Sequence, residues 1–270
     1  MRKFSKRATE VFLPLVVYLM SLPILYTFLK RLGILIQLSQ GKGFGAGSLG
    51  REISEAAKLL NLPKESPITI FDVGANVGSY SEQALKLFPN ATIYAFEPSK
   101  IAFEALAQRF KDNEQVVTLN FALSDSIGVA NLYSDNPGSG LGSLTKRNLK
   151  HHKIDFEQVE EIQTTTLDAV SLQFRVTPNL IKIDVEGNEL KVLSGAKNTL
   201  LLNPLIQFEF GGCNIDTRTY FRDFYYFFQN LNFEIFCITP FGRRRISRYT
   251  QNLECFETTN YLAIHHSPNL

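Results

Sequence analysis

The architecture turns on ITIFDVGANVGSYS, residues 68–81. Ile68 to Val73 is too short for a buried helix and is rich in β-branched and aromatic residues, so it reads as a buried strand. Gly74 lets the chain bend sharply after Asp72 and Val73. Gly78, four positions on, opens a helix predicted over Ser79 to Phe88, whose first amide groups point back at whatever sits above the strand. A second strand, Ala91 to Phe96, ends at Glu97-Pro98, 25 positions beyond Asp72. An acidic side chain there is placed to accept hydrogen bonds from two ribose hydroxyls. The turn is not GxGxxG, because Asn76 occupies the middle position and the third glycine is absent. That spacing argues against a nicotinamide dinucleotide and for another nucleoside ligand.

Outward from this unit, strand and helix patterns alternate. Helices are expected over 48–60, 101–110, 189–202 and 220–231, and strands over 116–122, 180–184 and 205–210. An excursion carries two further strands, 129–133 and 160–166, around a Gly/Ser-rich loop from Pro137 to Ser143. Five βα units imply a parallel sheet covered by helices on both faces. The last two strands, 233–239 and 261–265, are read as an antiparallel edge. The expected fold is therefore α/β, a Rossmann-like three-layer sandwich with a mostly parallel sheet and an antiparallel C-terminal edge strand. One domain is expected over 51–270, preceded over 1–50 by an apolar helical extension and a glycine-rich linker.

Composition sets the bounds. The chain has 270 residues, 44% of them hydrophobic, which suits one large globular domain. A net charge of +2 gives no case for a nucleic-acid partner. Three distant cysteines without a CxxC argue against disulfides and zinc and fit a reducing compartment. Val11 to Leu29 is a run of 19 residues without a charge. It is flanked by Arg2, Lys3, Lys6 and Arg7 on one side and by Lys30 and Arg31 on the other. Pro14 and Pro23 interrupt it, so a peripheral contact at the membrane interface is expected in preference to a full span. The expected location is cytoplasmic, with membrane association through 11–29.

FDVGANVGSYS (71–81), FEPS (96–99), ALSD (122–125), TTLD (165–168) and KIDVEGNE (182–189) occur in this order. With their spacing, the segment resembles the FkbM family of S-adenosylmethionine-dependent methyltransferases. The resemblance covers about 68–265. It implies a class I methyltransferase fold, S-adenosyl-L-methionine as cofactor, and methyl transfer mainly to oxygen on sugar, glycan or other small-molecule hydroxyls. By that resemblance Asp72, Gly74 and Asn76 line the methionine and ribose portion of the cofactor, with Gly78 opening the helix beside them. Glu97 holds the ribose hydroxyls, and Ser124 or Asp125 borders the adenine.

The fourth parallel strand ends in Asp184, Glu186 and Glu189, three carboxylates within six residues. Asp184 is expected nearest the sulfonium. Asp184, then Glu186, is the candidate base for the acceptor hydroxyl. Glu189 falls in a first helical turn, where it favours the dipole, and Glu209 adds a possible fourth carboxylate. A magnesium ion on two of these groups is the rival use, although no residue is assigned to a metal. His151 and His152 read as a surface pair, with a base role as the alternative. Arg243, Arg244, Arg245 and Arg248 form a basic cluster that a solvated turn or an acidic acceptor would explain. The excursion and the Gly41–Gly50 stretch are the expected acceptor walls. Two other classes stay open: a nicotinamide-dependent oxidoreductase, and a non-catalytic, membrane-seated nucleoside-binding module.

Overall fold

The computed structural model describes residues 14, 16–45, 47 and 49–266. The basic residues at positions 2, 3, 6 and 7, and residues 11–13 and 15 of the apolar run, lie outside them. The chain divides into two compact units, one ending at Gln40 and the other beginning at Gly41. The first carries helix α1 (Pro23–Ser39). Pro23 sits at its start, where a missing N–H costs nothing, and none of its residues is buried. Among the described residues, no helix is long and apolar enough to cross a membrane.

The second unit begins with α2 (Leu49–Leu60), then β1 (Thr69–Val73), α3 (Ser79–Leu87), β2 (Thr92–Phe96), α4 (Lys100–Phe110) and β3 (Val116–Leu119). An excursion follows: β4 (Ala122–Leu123), β5 (Gly128–Ser134) and β6 (Gln158–Thr165). Then come α5 (Leu167–Phe174), β7 (Leu180–Ile183), α6 (Glu189–Ser194), α7 (Lys197–Leu200) and β8 (Leu205–Phe210). The chain finishes with α8 (Cys213–Thr217), α9 (Phe221–Asn230), β9 (Phe233–Thr239), β10 (Gly242–Ile246) and β11 (Thr259–His265). Eight strands form one sheet in the order β10-β9-β11-β8-β7-β1-β2-β3, and β4-β6-β5 form a second, small one. Strands β3, β2, β1, β7 and β8 run parallel, while β11 is antiparallel to both β8 and β9. The order reverses between β1 and β7, which places the ligand edge above their carboxyl ends.

Alternation along the strands splits the core in two. Phe71, Val73, Phe96, Ile183 and Phe208 pack with Leu167, Val192 and Phe224 on one face. Ile70, Ile93, Leu180 and Leu205 pack with Ile53, Tyr80, Ala84 and Leu106 on the other. The sheet is thus buried on both faces, and each fully buried large side chain contributes about 1.5–3 kcal/mol.

Four expectations are corrected. The strand expected over 116–122 divides, because the Asn120 side chain donates to the Glu97 and Pro98 carbonyls and turns the chain into the small sheet. The helix expected over 189–202 breaks at Gly195, whose backbone packs on the Ser124 carbonyl so closely that a Cβ would overlap it. The Arg243–Arg245 cluster is a strand, β10, and forms the outer edge, while the C-terminal strand β11 slots between β8 and β9. Three consecutive arginines hid that strand; charge on an edge is how sheets avoid pairing with other chains. The glycines after Gln40 are not a loose linker. A Cβ on Gly41 would overlap the Ile238 carbonyl, and one on Gly45 would stand 2.8 Å from the Thr258 carbonyl oxygen. Gly45 N donates to Thr258 O, and Gly43 N donates to Thr259 Oγ1.

Gly74 joins the two halves of the parallel sheet at the switch point. Its φ is +78°, and a Cβ there would overlap the Asp184 carbonyl oxygen. Gly74→Ala is expected to lose at least about 2 kcal/mol of stability from the left-handed backbone and the overlap together. Urea denaturation of the two proteins measures it, and equal midpoints would show that the β1–β7 approach is slack.

Candidate functional site

A cleft opens over the carboxyl ends of β1, β2 and β7. Gly74, Asn76, Glu97, Asp184 and Glu186 all line it. Phe121, Ala122 and Leu123 close one end. Ser139, Gly140, Gly142 and Leu144 from the excursion cover the top.

Glu97 is 8% exposed at the end of β2. Its Oε2 accepts from Asn76 N and its Oε1 from Ser99 N, each at 2.9 Å. Burial pushes the carboxyl up to about 7, against the pull of those amides and of Lys182. Each oxygen keeps a free lone pair, so two hydroxyl donors from a ligand still fit. Asn76 holds a positive φ of 47°, which asparagine tolerates better than most residues. The glycine loop is seated on this turn: a Cβ on Gly140 would stand 2.7 Å from Asn76 Nδ2.

Asp72 is not in the cleft. It is fully buried beneath it, accepting from Ser81 Oγ at 2.7 Å and facing Lys182 Nζ at 3.4 Å. It fastens α3 to the sheet. Gly78 is also off the cleft; its Cβ position is filled by Phe110 and Leu106, so the glycine serves packing. Lys182, which the sequence marked only as part of the KIDVEGNE run, is the missed organiser. Its Nζ donates to Gly74 O at 3.0 Å and lies 3.5 Å from Asp184. Burial opposes its charge, but Asp184 and Asp72 hold the ammonium above the usual lysine range.

Asp184 is 40% exposed in its side chain and faces the cleft. Glu186, at φ +54°, is engaged otherwise: its Oε2 receives Arg147 Nη1, and its carbonyl accepts from Ser143 Oγ at 2.7 Å. Arg147 also faces Asp216, Nε to Oδ2, at 3.8 Å. Burial and the Asp184 charge raise Glu186, against the pull of Arg147. Glu186 thus pins the excursion over the cleft, and no sequence signal marked Arg147 for that role. Glu189 is fully buried; its Oε1 accepts from Val185 N and Gly187 N, fixing the turn that opens α6. Burial pushes it up to about 7.

Ser124 and Asp125 do not border the cleft. Ser124 N donates to Thr165 O and its hydroxyl to Asp125, where the chain has already left for the small sheet. Phe121, Ala122 and Leu123 line the cleft instead. His151 and His152 are exposed, their ring centroids 4.1 Å apart, and neither lines the cleft. On β10, Arg243 pairs with Glu55 at 3.0 Å and Arg245 with Glu234. Four strands separate β10 from β1, so this cluster is no acceptor wall. Among the described residues, no group of three or more His, Cys, Asp or Glu is arranged to hold a metal ion.

Residues 72–235, more than half the chain, match the family model described as the Methyltransferase FkbM domain. The chain is 30% identical over 148 residues to the hexuronic acid methyltransferase AglP of Haloferax volcanii, covering 54% of this chain and 57% of that protein. It is 28% identical over 162 residues to the 2-O-methyltransferase NoeI of Sinorhizobium fredii, covering 55% and 65%. It is 29% identical over 154 residues to the 31-O-demethyl-FK506 methyltransferase FkbM of Streptomyces tacrolimicus, covering 48% and 59%. In each case the match spans less than two thirds of the relative.

The raised carboxyls set a pH dependence. From about pH 4.5 to about 7, the folded chain keeps protons on Glu97 and Glu189 that the unfolded chain has released. Their contribution to stability is full below about 4.5 and is lost as the pH rises through about 7. Glu189→Gln, which cannot ionise, is therefore expected to gain in Tm relative to the wild type as pH rises from about 5 to about 8. A constant Tm difference across that range would show that Glu189 titrates as an ordinary carboxyl.

Proposed function

The chain belongs to the FkbM methyltransferase family, and on that footing we propose that it moves a methyl group from S-adenosyl-L-methionine to a hydroxyl on a sugar, glycan or other small molecule. The observation that carries this reading is the convergence of Asn76, Glu97 and Asp184, from three separate strand ends, on one cleft beneath the excursion. When bound, the cofactor supplies an electrophilic methyl on a sulfonium. The free lone pairs of Glu97 suit the ribose hydroxyls, and the Gly74–Asn76 turn suits the amino-acid portion. Phe121, Ala122 and Leu123 offer the apolar end that a flat base needs.

Transfer to an alcohol needs orientation and a group to take the proton. We assign the proton to Asp184, which is open to the cleft, and not to Glu186, whose carboxylate holds Arg147. Lys182 faces Asp184 at 3.5 Å and ties its position to the Gly74 carbonyl. Glu186 acts instead by holding the excursion closed over the reacting atoms, which excludes water.

Calorimetry with S-adenosylhomocysteine tests the cofactor site. Binding is expected in the wild type, and Glu97→Ala should weaken it roughly tenfold to a hundredfold. Extracts incubated with the chain and isotopically labelled cofactor should contain a small molecule or glycan that gains one methyl. No binding of S-adenosylhomocysteine, with binding of NAD instead, would replace this reading with the oxidoreductase class.

The reading includes peripheral contact with a membrane through residues 11–29. Within the described part, Tyr18, Ile24 and Phe28 are 67%, 90% and 61% exposed. From Val11 to Arg51 the sequence holds no Asp or Glu, and Lys30 and Arg31 follow the apolar run. Apolar surface next to uncompensated basic charge suits an anionic lipid interface. The full-length chain is expected to float with vesicles containing phosphatidylserine and to lose that binding in an Ile24→Asp, Phe28→Asp double variant. Wild-type protein left at the bottom of the gradient would dispose of the contact.

A further inference from the structure

Glu209 is the one residue of β8 that is not fully buried, and it stands at the ligand edge of the sheet. Register fixes its neighbours. Lys182 pairs with Gln207 and Ile183 with Phe208, so the next step sets Glu209 beside Asp184 on the same face. Across β11 it stands opposite Asn260. Neighbouring strands lie about 4.8 Å apart, so two carboxylates share this edge at close quarters.

The neighbouring amides of Gln207 and Asn260 are directed away from Glu209. Gln207 Nε2 donates to Glu52 Oε2 and Asn260 Nδ2 donates to Glu52 Oε1, each at 2.8 Å. Tyr80 donates to Gln207 Oε1 at 2.9 Å, which fixes the orientation of that amide. Lys182 is taken up by Gly74, Asp72 and Asp184, and Arg147 by Glu186 and Asp216. No hydrogen bond from a described residue reaches the Glu209 carboxylate. Burial, then the charges of Asp184, Glu186, Glu189 and Glu52, push its carboxyl well above the usual range. Such a group destabilises the folded chain, and burying it without a partner costs more than a hydrogen-bonded arrangement would.

We propose that Glu209, one strand over from Asp184, forms with it an acceptor subsite bordering the cleft: a pair of carboxylates that takes a hydrogen-bond donor, a hydroxyl or an amine, at the outgoing methyl and repels an anion there. This rests on the methyltransferase reading and adds the chemistry of the acceptor. The reacting position is an uncharged or amine-flanked hydroxyl, with no carboxylate or phosphate beside it.

Three cofactor analogues probe that position without knowledge of the acceptor. S-adenosylhomocysteine presents no group there. Sinefungin presents a primary amine in place of the sulfonium methyl, and carboxy-S-adenosylmethionine presents a carboxylate on the methyl. Calorimetry on the full chain should show sinefungin bound at least about tenfold more tightly than the carboxylated analogue. In Glu209→Gln, sinefungin should weaken about tenfold, the carboxylated analogue should tighten, and S-adenosylhomocysteine should stay within about twofold. The Tm of the variant at pH 8 should equal or exceed that of the wild type, since an unpaired buried charge is removed; this separates a subsite role from a structural one. Unchanged discrimination between sinefungin and the carboxylated analogue, or equal loss of all three ligands, overturns the assignment. If S-adenosylhomocysteine fails to bind even the wild type, the cofactor reading itself falls and takes the subsite with it.

Discussion

A single buried ammonium organises this edge of the sheet. Lys182 Nζ, with its side chain 8% exposed, reaches the Gly74 carbonyl, Asp72 and Asp184 within 3.5 Å. Those three groups belong to the turn after β1, the floor beneath it and the mouth of β7. A lysine this deep is tolerable only while it is ionised against fixed anions, because either lone charge in that place would be strongly penalised. The pairing therefore does more than hold strands together, which their backbone ladders already do. It holds the Gly74 carbonyl and faces the Asp184 carboxylate at once, so the part of the cleft that would hold an amino acid and the part that would meet an acceptor are tied to the same side chain.

Around that cation the sheet edge is over-supplied with carboxylates. Glu97, Glu186, Glu189 and Glu209 all sit above their ordinary ionisation range, and burial is the largest cause in each case. A chain selected for stability alone would replace at least some of these with amides or apolar groups. Their concentration at the switch point, where α/β sheets bind ligands, is the expected signature of a site whose charge is completed from outside. A cationic ligand would relieve the repulsion, and this couples ligand binding to stability more strongly at alkaline than at acid pH.

The readable parts of the sequence were those governed by local rules. The strand-turn-helix around Gly74, the carboxylate at Glu97 and the run from Lys182 to Glu189 follow from apolar patterning and glycine placement, and the structure brings Asn76, Glu97 and Asp184 together as anticipated. What escaped reading depended on contacts far apart in sequence. Strand β10 is built of arginines whose partners, Glu55 and Glu234, lie in α2 and β9. Gly41 and Gly45 resemble a flexible linker until the backbones of Ile238 and Thr258 are set against them. Asp72 and Gly78 were assigned to the ligand, since the motif cannot distinguish a residue that lines a pocket from one that supports its floor. Ser124 and Asp125 were displaced by a single side chain, Asn120, that bends β3 away.

The excursion is the part of the fold where geometry and specificity meet. It touches the cleft at two places: Gly140 on the Asn76 turn, and Ser143 and Arg147 on the Glu186 turn. Those two turns lie on opposite sides of the β1–β7 seam, so the loop bridges the switch point and does not hang from one wall. Its seat on Asn76 is a close steric approach by Gly140, whereas its seat on Glu186 combines a charge pair with a hydroxyl donated to the backbone carbonyl. Steric fit fixes the first contact and electrostatics the second, and only the second responds to a change in the protonation of Glu186. Loss of that carboxylate's charge would leave Arg147 with Asp216 alone, while Ser143 would still donate to the Glu186 carbonyl.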